Sequence, residues 1–75
     1  MTGRQIVIAD EVVTLTRRQM DVARCAADGY DTAGTAAVLG IGYESVKWHR
    51  SALLQRLNVL TITAACVLLV RRGML

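Results

Sequence analysis

Glycine and asparagine punctuation divides residues 16–73 into four short stretches of helical periodicity, and that division limits the chain to a small helical bundle. The first stretch opens at Thr16, a good N-cap, with Gln19 three positions on to complete a capping box. Leu15 before the cap and Met20 within the helix form a hydrophobic staple. Met20, Val22, Ala23, Ala26 and Ala27 supply the apolar positions and leave Arg17, Asp21, Arg24 and Asp28 to solvent. Gly29, tolerant of left-handed backbone, closes the helix. Asp31 caps a second helix over Thr32–Leu39, whose small residues let another helix approach closely, although Gly34 costs about 1 kcal/mol relative to Ala. Gly40-Ile41-Gly42 is then a tight turn with one apolar anchor, as expected between two helices that cross steeply.

The third stretch predicts a helix over Tyr43–Leu57 with two unlike faces. Val46, Leu53 and Leu57, with Leu54 beside them, make the apolar stripe; Glu44, Lys47, Trp48, Ser51 and Gln55 make the opposite one. Asn58-Val59 ends it. A fourth helix runs from 61 or 62 to 72, stopped by Gly73, with Arg71 and Arg72 favourably placed at its negative end. Residues 1–14 read differently. Ile6-Val7-Ile8 and Val12-Val13 are β-branched runs around Ala9-Asp10-Glu11, which suggests a short strand or hairpin needing the helices or a second copy to pack against.

Charge separates along the chain. Residues 1–44 sum to −2, whereas residues 45–75 carry Lys47, Arg50, Arg56, Arg71 and Arg72 with no acid, a sum of +5. A one-sided basic half is the footprint of a polyanion binder. With 75 residues there is room for one domain, and without Phe or Pro its core must be aliphatic and its helices unbroken.

Cys25 and Cys66 lie in apolar helical patterns, belong to no CxxC pair, and have only His49 as a further soft ligand, so neither a metal site nor catalysis is expected. The apolar run 57–70 is too short for a bilayer and contains Asn58, Thr61 and Thr63, so it reads as buried or dimer-forming. With no secretory signal at the start, the expected location is cytoplasmic.

The ordered set Leu15-Thr16-x-Arg18-Gln19, Ala27-x-Gly29, Ala36-x-x-Leu39-Gly40-Ile41, Ser45-Val46-Lys47-x-His49, Leu53-x-x-Arg56-Leu57-x-Val59 and Ala65 resembles the LuxR/FixJ/GerE-type helix-turn-helix domain over residues 15–72. The resemblance implies an all-α fold: a four-helix unit over 15–75 behind an extended N-terminal segment over 1–14, in the stand-alone GerE-like form. It further implies a third helix that enters the DNA major groove, a fourth that forms a homodimer, and no cofactor or catalysis. Three departures stand out. Gln19 replaces the usual glutamate, Asp31-Thr-Ala-Gly-Thr-Ala36 replaces the usual Ser-Asn-Lys-Glu-Ile-Ala, and Trp48 stands where the family has a small or β-branched residue.

On this resemblance Lys47 contacts a guanine edge or a phosphate, and His49, turned toward the helix flank, contacts a backbone phosphate or else sits half-buried. Trp48 has polar neighbours at 44, 51 and 55 and is expected exposed on the DNA face, where it meets a thymine methyl or the sugar edge and alters base preference, or meets a partner; burial in the core is the alternative. Glu44, Ser45, Ser51, Gln55 and Thr32 complete the expected DNA-facing set. Arg50 and Arg56 hold the DNA backbone, with Arg56 alternatively paired to Asp21 or Asp28. Ile62, Cys66, Leu69 and Val70 are the expected dimerisation stripe. The expected function is a sequence-specific transcription regulator, dimeric on double-stranded DNA. The rival class is a protein-interaction module, a degenerate helix-turn-helix or sigma region-four-like unit binding RNA polymerase or another regulator, favoured by Trp48, Glu44 and the depleted second helix.

Overall fold

The computed structural model describes residues 3–75, so the first two residues of the 1–14 segment lie outside the described residues. Strands β1 (Gly3–Ile8) and β2 (Glu11–Thr16) form an antiparallel hairpin, and helices α1 (Arg17–Ala27), α2 (Thr32–Leu39), α3 (Tyr43–Leu57) and α4 (Ile62–Arg71) follow. The all-α expectation is therefore corrected: the fold is four helices plus a two-stranded sheet. The register pairs Ile6 with Val13 and Val7 with Val12, which leaves the two-residue turn Ala9-Asp10. Both turn residues have positive φ, 51° and 67°, the geometry of a type I′ turn. This turn type usually announces itself as Asn-Gly, and its absence is why the β-branched runs alone left strand and hairpin undecided.

Alternation fixes which hairpin face is buried. Ile6 and Leu15 point inward and join Met20 and Ala23 of α1, Leu53 and Leu57 of α3, Ala65 and Leu69 of α4, and Met74 in one continuous core. A fully buried leucine contributes about 1.5–3 kcal/mol, and Leu15 is as buried as Leu53 or Leu69. Two arginines fasten the hairpin from outside: Arg56 Nε donates to the Thr14 carbonyl at 3.2 Å, and Arg72 Nη1 donates to the Val7 carbonyl. Arg56 is thus tied to β2, and Asp21 pairs with Arg18 instead, at 3.5 Å.

The helix ends follow their caps. Thr16 Oγ1 accepts from the Gln19 amide at 3.0 Å while Gln19 Oε1 accepts from the Thr16 amide at 2.9 Å, so both halves of the capping box are made. Asp31 Oδ1 accepts from the Gly34 amide at 2.7 Å, and Thr61 Oγ1 from the Ala64 amide at 3.1 Å. At the C-cap of α2, Gly40 adopts φ 68°, and Asn58 does the same for α3 at 57°, which turns the chain sharply before α4. No single helix among the described residues is long and apolar enough to cross a membrane.

Candidate nucleic-acid interface

Helix α3 presents its two faces as its spacing requires. Val46, Leu53 and Leu57 are buried, and that anchors the rod against the body of the domain. Opposite them Glu44, Lys47, Trp48, Ser51 and Gln55 are all exposed, so the structure gathers these five on one free face. Trp48 is 67% exposed, an unusual state for so large an apolar ring. Among aromatic rings of the described residues it meets His49 edge-on, with centroids 5.2 Å apart and planes at 76°.

Lys47 lies 3.7 Å from the Glu44 carboxylate and 5.9 Å from the centroid of the Tyr43 ring. Exposed pairs of this kind contribute about 0–1 kcal/mol, so the lysine is free to exchange Glu44 for another acceptor. At the start of α3, Gly42 offers no side chain to the first helical amides, and Ser45 stands exposed beside them. Unfilled amides at a positive helix end suit an anion.

The flanks of α3 are engaged with the fold. Arg50 is half-buried and donates to Thr32 Oγ1 at 3.1 Å, which ties α3 to the first turn of α2. The Thr32 hydroxyl keeps its own proton to donate. His49 is half-buried too, and burial first, then the nearby Arg18 guanidinium, push its pKa below the ordinary value. The ring is therefore neutral at pH 7 and can donate one hydrogen bond. Burial pushes both cysteine thiols up; for Cys25 the Asp28 and Asp21 carboxylates add to the effect, while Thr35 and Arg24 oppose it. The Thr35 hydroxyl is fully buried and makes no well-formed hydrogen bond among the described residues, so its pull on the thiol is weak. Uncharged thiols are poor nucleophiles and poor ligands.

The expected dimerisation stripe on α4 needs correction. Leu69 is 0% exposed and belongs to the core, and Ile62 packs against that core. Cys66 points inward, its Sγ donating to the Ala23 carbonyl of α1 at 3.7 Å. Only Val70 of the four is exposed. The apolar surface this helix offers is Val67 and Val70, with Thr63 one turn before them and Leu60, 95% exposed, just ahead of the helix. The apolar pattern of α4 is continuous around much of the helix, so spacing could not tell its inner stripe from its outer one.

The bacterial regulatory proteins of the luxR family supply a family model that matches residues 13–69. The chain belongs to this family. Helix-turn-helix domains of the LuxR family are DNA-binding regulators, not enzymes. No curated protein matches the sequence closely enough to count as a relative. Among solved structures the chain is similar to the Vibrio cholerae LuxR-type receptor VqmA, described as a dimer in the absence of target DNA. The two share 23% identity and a TM-score of 0.74, over 99% of this chain and 35% of that one. The chain spans about a third of that receptor, and the likeness bears on the fold alone.

Within the LuxR domain, sequence reasoning passed over Arg17 and Arg18. They line an open cleft with Asp21 at the start of α1, and Arg18 is close enough to His49 of α3 to depress its pKa. A local signal was available: Arg17 and Arg18 occupy the first turn of α1, where a cation opposes the positive helix end, and Arg18 is offset by Asp21 one turn on.

Proposed function

We propose that this LuxR-family chain is a sequence-specific transcription regulator that lays α3 in the major groove of double-stranded DNA as a homodimer. The observation that carries the reading is the exposed stripe Glu44, Lys47, Trp48, Ser51 and Gln55 set opposite the buried Val46, Leu53 and Leu57. Lys47 donates to guanine O6 and N7 or to a phosphate, Glu44 accepts from cytosine N4, and Ser51 and Gln55 extend the contact along the groove. Ser45, Thr32 and His49, with Arg50 and Arg56 behind them, hold phosphates and set the register. Val67, Val70 and Leu60 form the twofold contact, which spaces two recognition helices about 34–36 Å apart.

Lys47→Ala tests the reading. The side chain is exposed and its pairing weak, so the variant folds as the parent does. Operator affinity falls by roughly 5- to 150-fold if a base contact is lost, or the salt slope falls by about one unit if a phosphate contact is lost. Unchanged affinity at matched salt removes α3 from the groove. The exposed Trp48 favours a second reading, in which this face docks on RNA polymerase or another regulator. Binding to DNA fragments at two salt concentrations separates the two, because only a DNA reader combines steep salt dependence with selected sites.

A further inference from the structure

We infer that Trp48 reads a thymine, through the C5-methyl group and the O4 beside it in the major groove. This rests on α3 being the groove-reading helix. The indole stands in the middle of the free stripe, between Glu44 and Ser51 along the helix and next to Lys47. At 67% exposure, no core contact explains it. Its one aromatic neighbour among the described residues, His49, meets it edge-on at 5.2 Å and is kept uncharged by burial and by Arg18.

The thymine methyl is the one sizeable apolar group on the major-groove base edges, which otherwise present chiefly donors and acceptors. A large apolar ring pressed on guanine, adenine or cytosine strips water from donors and acceptors and returns nothing, which is costly. Pressed on thymine, it covers a methyl group and excludes water from apolar surface. The indole also carries one polar atom, a donor with no acceptor capacity. Thymine O4, next to the methyl, is an acceptor. In 5-methylcytosine the same methyl sits next to an amino donor, which the indole cannot satisfy. Thymine therefore fits on both counts, 5-methylcytosine on one.

The test uses duplexes selected by the native chain from a randomised library, with each thymine replaced in turn by uracil, and binding followed by fluorescence anisotropy at fixed salt. The native chain loses roughly three- to ten-fold at one position per half-site, the scale of one lost methyl contact. Trp48→Ala binds more weakly and shows no preference there between thymine and uracil. Trp48→Phe, which keeps an apolar ring and loses the indole donor, keeps the thymine-over-uracil preference. Equal affinity for thymine and uracil at every position overturns the inference while leaving the DNA reading intact, as does a uracil penalty that survives in Trp48→Ala. Unaltered DNA selection by Trp48→Ala, with RNA polymerase binding lost, reassigns the ring to a protein partner and overturns it too. If the native chain selects no DNA, both readings fall.

Discussion

The hairpin turn carries a measurable strain. Ala9 sits at φ 51° and Asp10 at 67°. An L-residue in the left-handed region costs about 1–2 kcal/mol, and Asp escapes part of this through its short polar side chain, so the excess lies at Ala9. Ala9→Asn recovers about 0.5–1 kcal/mol of that cost, because Asn is at home in the first position of a type I′ turn. Ala9→Val, β-branched at positive φ, loses more than about 1 kcal/mol. A chain of 75 residues has a total stability of about 4–11 kcal/mol, so both changes are resolvable. In melting temperature the Asn variant gains about 2–8 °C. The assay is urea and thermal unfolding followed by far-UV circular dichroism, a signal dominated by the helices. A turn mutation can move helix unfolding only if Ile6 and Leu15 couple the hairpin to the common core, as their burial requires. Identical helix transitions for parent, Asn and Val variants would show that the hairpin folds independently and would refute the argument.

Three further outcomes follow from burial and exposure. On the proposed homodimer, Val70→Arg changes a side chain that is 54% exposed and yields a folded monomer by analytical ultracentrifugation where the parent sediments as a dimer; a persistent dimer would move the interface off α4. Leu69→Arg, by contrast, buries a charge in the core and unfolds the chain, visible as lost helical signal. The His49 pKa is depressed in the folded state, so the unfolded chain takes up its proton first as pH falls. The stability this group contributes is full above its ordinary value of about 6.5 and is lost as pH drops below it toward the folded value. His49→Gln flattens the stability profile between pH 5 and 7, and an unchanged slope would mean that burial does not shift the ring.

Helix positions were legible because each end carries a local chemical mark: Thr16 with Gln19, Asp31 before small residues, Gly40 and Asn58 at left-handed turns. The free face of α3 was legible as well, since its polar and apolar stripes differ sharply in character. Three features were not. The Ala9-Asp10 turn lacks the residues its geometry prefers, so pairing is set by the burial of Ile6 and Leu15, a tertiary cause. The exposed side of α4 depends on which valines and leucines the hairpin and α1 happen to cover. Arg56 and Arg72 meet their carbonyl partners 42 and 65 positions away, beyond the reach of any local pattern.

That long-range bonding alters what the basic half of the chain means for behaviour in salt. Arg50, Arg56 and Arg72 are held by a hydroxyl and two main-chain carbonyls, which are dipoles and not opposite ions. Mobile ions screen charge against charge far more than they weaken such short dipolar contacts. Raising ionic strength should therefore strip a polyanion from the surface while leaving the scaffold closed, so that release from a duplex is a clean dissociation and not a melting event.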